Sequence, residues 1–161
     1  MFISIKSKEV LADIRSAAWL ESELHPELNR HRRHEMADIC EDGNIERVWR
    51  IIGIQIAEIR LSLLKILHPE EHLSYSNSLL SPDSWQFRFL FPLPEDTMVF
   101  IKEKIHECLV AAVMADRTAV IVAAAADVWE ERNVAALASL RQLAATTSHP
   151  RAPVGRPLWP L

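Results

Sequence analysis

Histidines, cysteines and paired acids are the side chains here with the means to do chemistry. His31 and His34 stand three apart, His68 and His72 four apart, and His106 two before Cys108. Imidazoles at helical spacing can share one metal ion. His68 and His72 bracket Pro69, past a helix end, and Arg32 and Arg33 set two cations beside any ion at His31 and His34. Solvated histidines are the preferred reading, and no metal is expected. Cys108 with His106 is the nearest approach to a nucleophile and its base. Residues two apart on a helix do not face each other, and Cys108 falls on an apolar face, where a free thiol packs as a small hydrophobe. Glu70-Glu71 and Glu130-Glu131 read as solvated faces. No serine occupies a Gly-x-Ser-x-Gly turn. Gly43, Gly53 and Gly155 are isolated, so the clustered glycines of a phosphate-cradling loop are missing. No catalytic, cofactor-binding or metal-ligating residue is assigned, and an enzyme is not expected.

Two segments carry binding potential instead. Arg30-His31-Arg32-Arg33-His34 is the single basic cluster, and Arg30, Arg32 and Arg33 are the candidate contacts to phosphates. A solvated loop or an intersubunit ion-pair site is the preferred reading. The net charge of −4 gives no general attraction to nucleic acid or to an anionic membrane. The second segment is the Pro-rich tail, which ends Leu158-Trp159-Pro160-Leu161. Leu158, Trp159 and Leu161 are candidate subunit contacts, set against the plainer reading of a disordered terminus.

The elements that must hold these residues follow from periodicity. The 161 residues fit one domain, residues 1–145, followed by the tail, 146–161. With 49% hydrophobic and 25% charged residues the chain lies well away from the disordered regime. The longest apolar run, 119–126, is far short of the ~20 residues needed to span a bilayer. Two cysteines make no disulfide framework, so a reducing cytoplasm is expected, with one bridge between Cys40 and Cys108 as the alternative.

Phe2, Ile3 and Ile5 suggest a short strand, and Ser7 a helix cap. Val10, Leu11, Ile14, Ala17 and Ala18 then recur at helical spacing, and the helix should end near 20–23. Residues 24–43 read as a polar connection with at most one helical turn near 35–40. Ile45, Trp49, Ile52, Ile56, Ile59, Leu63 and Ile66 form a heptad stripe behind Asn44 as cap. A second set, Val48, Ile51, Ile54, Leu61, Leu64 and Leu67, predicts a central helix packed on more than one side, stopped by Pro69.

Trp85, Phe87, Phe89 and Phe91 alternate as a strand with an aromatic inner face. Residues 73–79 are its expected partner, and the N-terminal strand is a third. Pro94 with Glu95 and Asp96 opens another helix, bent or broken near 117–122. It should form a hairpin with a last helix marked by Val128, Trp129, Leu137, Leu140 and Leu143. The fold class is α+β and mostly α, with about four helices packed on a small antiparallel hairpin or three-stranded sheet.

This order of elements resembles a group of small proteins from prophages and mobile elements of Bacteroides-type bacteria. The residues that carry the likeness are 2–14, 44–67 and Phe87-Arg88-Phe89-Leu90-Phe91-Pro92 running into Ile105-His106-Glu107. More loosely, the chain is similar to the head–tail adaptor proteins of tailed phages, which form rings in the virion neck. The likeness covers residues 1 to about 145 and rests on apolar and aromatic patterns. The chain departs from the group in an Ala-richer helical pair and a Pro-richer tail. The resemblance implies a non-enzymatic structural protein that self-associates or meets other phage proteins, in the cytoplasm or the virion. It transfers no functional residue. A nucleic-acid-associated accessory protein using Arg30, Arg32 and Arg33 is the second reading. A metal-dependent enzyme using His31, His34, His68, His72 or His106 is the third.

Overall fold

The computed structural model describes residues 1–41, 43–69 and 82–147. The expected partner strand at 73–79, the acids Glu70 and Glu71, His72 and the segment carrying Leu158, Trp159 and Leu161 lie outside the described residues. The described elements run β1 (Phe2–Lys6), α1 (Ser7–Leu24), α2 (Arg30–Ala37), α3 (Ile45–Ser62), β2 (Ser84–Arg88), α4 (Glu95–Ile121) and α5 (Ala123–Thr146). The fold is α+β and mostly α, with five described helices and a two-stranded antiparallel sheet.

β2 is hydrogen-bonded along one edge, and at its end, through Arg88 to Leu90, on the other as well. On one side it pairs with β1, in a register that sets Ile3 opposite Phe87 and Ile5 opposite Trp85. On the other side, residues just after α3 close on it. His68 N–H donates to Arg88 C=O at 2.9 Å, Leu90 N–H donates to Ile66 C=O at 2.9 Å, and Leu67 bridges Phe89. Alternate residues of a strand bond to opposite sides, so one short strand ties the N-terminus to the end of the central helix. Ile3, Ile5, Phe87 and Phe89 are buried beneath it, while Trp85 and Phe91 are half-buried. Trp85 lies against Trp49 of α3, ring centres 5.9 Å apart.

Ser7 departs from its expected role. It is the first residue of α1 and makes no cap hydrogen bond. Its N–H and its hydroxyl both donate to the carbonyl of Asp83, each at 3.0 Å. The buried serine thus fastens the start of α1 to the entry of β2. Asn44 precedes α3 as expected, but its side chain does not cap that helix. Its amide donates to Asp38 C=O at 3.2 Å and its oxygen accepts from Arg117 at 3.4 Å.

The heptad stripe of α3, continued by the turn after Ser62, forms the middle of the core. Ile52, Ile56, Ile59, Leu63 and Ile66 are buried with Ile101, Ile105, Cys108 and Leu109 of α4 and Ala136, Leu137, Leu140 and Ala144 of α5. α4 begins behind Pro94, with Glu95 and Asp96 in its first turn, where acids complement the helix dipole. The break comes at Val122, which is extended and whose N–H still closes on Thr118 C=O at 2.7 Å. α4 and α5 then fold back on each other through Ala111, Ala112, Ala115, Ala125 and Ala136, all buried. Small residues let the two backbones come close.

One polar pair crosses this core. Gln55 of α3 donates to Asn133 Oδ1 at 3.0 Å, and Asn133 donates back to Gln55 Oε1 at 3.4 Å, both side chains being buried. A matched pair of amides satisfies itself, but either one alone pays for lost solvation. Asn133→Ala should therefore cost about 1–3 kcal/mol in urea unfolding, and Gln55→Leu with Asn133→Leu together should recover most of it. Phe87→Ala, which empties the largest fully buried side chain, should cost about 3–5 kcal/mol by the same measurement.

Candidate functional site

The thiols are held out of chemistry. Cys108 is fully buried on α4. Burial first, then the nearby charge of Glu107, pushes its thiol up to about 12, against an ordinary 9.0. Cys40 is also buried and raised by burial, with Arg15 pulling the other way. Both are free thiols, so the alternative of a bridge between them falls. The reactive form of cysteine is the thiolate, and neither environment favours it.

The histidines tie elements together. His106 points away from Cys108 and meets Asp13 Oδ2 of α1 at 2.6 Å. His31 and His34 are exposed on α2, where His34 accepts from Arg30 at 3.4 Å. His68 sits at the sheet bridge. His25, which the sequence reading passed over, lies 2.7 Å from Glu27 and 3.5 Å from Glu21. Glu21 in turn accepts from the indole N–H of Trp129 at 2.8 Å, so this cluster fastens the end of α1 to the start of α5. Glu21 and His25 four apart in the sequence were the available signal. No group of three or more His, Cys, Asp or Glu suited to holding a metal ion occurs among the described residues.

The basic cluster corrects the expectation of a polar loop with at most one turn. Residues 30–37 are helix α2, which the side chain of Asn29 caps by accepting from Arg32 N–H at 2.9 Å. Met36, Ile39 and Cys40 are buried behind it. Arg33 is bound inward, to Ser22 C=O at 3.1 Å and Glu23 at 2.8 Å. Arg30 and Arg32 remain exposed. Arg117 of α4 holds the end of α2 through Glu35 C=O at 2.7 Å.

A shallow depression between α3 and α4 is lined by Ile39, Val48, Ile51 and Val113 and crossed by the Arg47–Asp116 pair at 2.8 Å. Its polar groups are engaged with one another. The more open feature is the outer face of α3 and the turn after it. Ile54 is 59% exposed and Leu61 69% on the helix, and Leu64 43% in the turn. Leu61 lies seven positions after Ile54, which sets them on one line of the helix, with exposed Glu58 between them and Ala57 half-buried beside them. The sequence predicts a helix packed on more than one side. It does meet α4 and α5, but part of its second apolar set faces out.

No protein-family model, no curated protein and no solved structure matches this chain. The reading of its surface rests on its own residues.

Two exposed apolar faces stand out. One is the α3 stripe. The other, on the last two turns of α1, carries Trp19, Leu20 and Leu24. Trp19 and Leu20 are adjacent and point to different flanks, whereas Ile54 and Leu61 are aligned. Leu20 and Leu24, four apart, share one flank of α1, whereas exposed Glu58 stands between Ile54 and Leu61 on α3.

The buried thiol has a measurable consequence. A thiol with its folded-state pKa raised from 9.0 to about 12 adds stability that is fully present below pH 9 and is lost as pH rises towards 12, because only the unfolded chain ionises there. Urea midpoints should therefore fall between pH 9 and pH 11, and Cys108→Ala should flatten part of that slope. Native protein at pH 8 should also resist alkylation at both cysteines until urea is added.

Proposed function

We propose that this chain is a non-enzymatic structural or assembly protein that works as a homo-oligomer. The observation that carries the reading is the exposed pair Ile54 and Leu61, aligned on the outer side of the helix that forms the middle of the core, with Leu64 exposed in the turn just after it. Removing an aliphatic side chain from water is worth ~1.5–3 kcal/mol when burial is complete. A rigid row of such side chains favours a partner surface. The reactive groups support the same view, because His106, His25, Arg33 and Arg47 are taken up by ties between elements. The resemblance to small prophage proteins and to ring-forming adaptor proteins supports a component of a virion or its precursor in the cytoplasm. Light scattering on size-separated protein across a concentration series tests this. The expected result is a dimer or larger closed assembly, shifted to monomer by Leu61→Glu with unchanged circular dichroism. A wild-type chain that stays monomeric at the highest concentrations would sink the reading.

A second reading is favoured by Arg30 and Arg32, exposed together on α2. There the protein contacts nucleic-acid phosphates as an accessory protein. Binding would then weaken with rising salt and be lost on changing Arg30 and Arg32 to Ala. Arg33 is unsuited to that test, since its guanidinium holds α2 to α1. Absence of binding to duplex or single-stranded DNA at low salt would end this alternative.

A further inference from the structure

We infer that two copies of this chain pair through the outer edge of β1, strand against antiparallel strand, as a second contact beyond the α3 surface. It rests on the assembly reading, because an edge of five residues is too short to hold two copies unaided. The pairing forms between copies that are already gathered.

β1 lies at the edge of the sheet and is bonded to β2 on one side only. Met1 C=O accepts from Phe89 N–H, and Ser7 N–H donates to Asp83 C=O, each at 3.0 Å. Alternate residues of a strand bond to opposite sides, so Met1, Ile3, Ile5 and Ser7 turn their main-chain groups to β2. Phe2, Ser4 and Lys6 turn theirs away. Among the described residues, nothing bonds to the N–H or C=O of Phe2 and Ser4 or to the N–H of Lys6. Phe2 and Lys6 are exposed, whereas Ile3 and Ile5 are buried. The strand is therefore anchored on its inner face and open along its outer edge.

The strand complements itself. Phe2-Ile3-Ser4-Ile5-Lys6 alternates symmetrically about Ser4. In an antiparallel pair centred there, Ser4 exchanges both main-chain bonds with the Ser4 of the second copy, and each Lys6 N–H donates to the opposing Phe2 carbonyl. Ile3 falls opposite Ile5 on the inner face, so one sheet runs across both copies with its apolar side inward. Phe2 falls opposite Lys6 on the outer face, where an ammonium is attracted to an aromatic ring. A lysine on a strand edge guards it against pairing with unrelated strands, but a like strand in this register gives Lys6 a partner. A slip of two residues sets Lys6 against Ser4 and loses that contact.

Cysteine crosslinking of the full-length protein tests the register, with Cys40 and Cys108 both buried. In the centred pair the two position-4 Cα atoms lie about 5.5 Å apart, within the span of a disulfide. The two position-2 residues are offset by four steps along the strands, about 14 Å. Under mild oxidation Ser4→Cys should form a disulfide-linked dimer about tenfold faster than Phe2→Cys, because pairing raises the local thiol concentration. Phe2→Cys mixed with Lys6→Cys should give the mixed dimer in preference to either variant alone. Equal rates for Ser4→Cys and Phe2→Cys would overturn the edge contact. So would the absence of linked dimer from protein that light scattering shows to be oligomeric, and in both cases the assembly reading would stand. Monomeric wild-type protein would remove both.

Discussion

The buried ridge of α3 is the constraint on which the other elements depend. Ile52, Ile56, Ile59, Leu63 and Ile66 leave water together, and each element that packs on them is positioned by doing so. α4 and α5 supply the opposing aliphatic and alanine surfaces. The sheet supplies Phe87 and Phe89 at the end of the ridge, where residues 66–68 bond directly to β2. Because β1 pairs with the other edge of β2, the first residues of the chain are fixed by the same ridge. A helix so anchored has a rigid outer face. Its exposed Ile54 and Leu61 are presented in fixed geometry and cannot fold away into the core.

The polar contacts sort the helices once the ridge has gathered them. Asp13 with His106, Glu21 with Trp129, Arg47 with Asp116 and Arg117 with Glu35 each join residues far apart in sequence. Most are partly exposed and so contribute little net stability. Their value is in orientation. The Gln55–Asn133 pair differs, since it is buried. An apolar neighbour would fit almost any register of α5 on α3, whereas two amides satisfy each other in one. Gln55–Asn133 and Ser62–Arg141 advance along α3 and α5 in the same sense, so the two helices run parallel, and the buried pair sets that alignment.

Much of this architecture was legible because the deciding signals are local and periodic. The heptad stripe from Ile45, the alternation of Trp85, Phe87 and Phe89, the Pro94 start and the break at Val122 all follow from spacing. The departures have tertiary causes. α2 is a helix among charged residues because Asn29 caps it, Arg33 binds Glu23 and Met36 is buried, and the last two need a partner no local pattern reveals. Ser7 bonds to Asp83, which is distant in sequence. The candidate surface was half legible. The apolar set of Ile54, Leu61 and Leu64 is plain in the sequence, but which side of α3 meets α4 and α5 is a property of the assembled core. A pattern wide enough for burial on several sides is also a pattern for a helix with one apolar face left outward.

The proposed function divides labour within one helix: an inner face builds the body, and the outer face is the one proposed to meet another copy. Methyl-labelled protein followed by carbon-13 nuclear magnetic resonance across a concentration series reads both faces at once. The methyl signals of Ile54 and Leu61 should move with concentration, while those of Val134 and Leu24, equally exposed elsewhere, stay fixed. Signals of Ile54 and Leu61 that hold still from dilute to concentrated protein, or movement at Val134 or Leu24 alone, would contradict it.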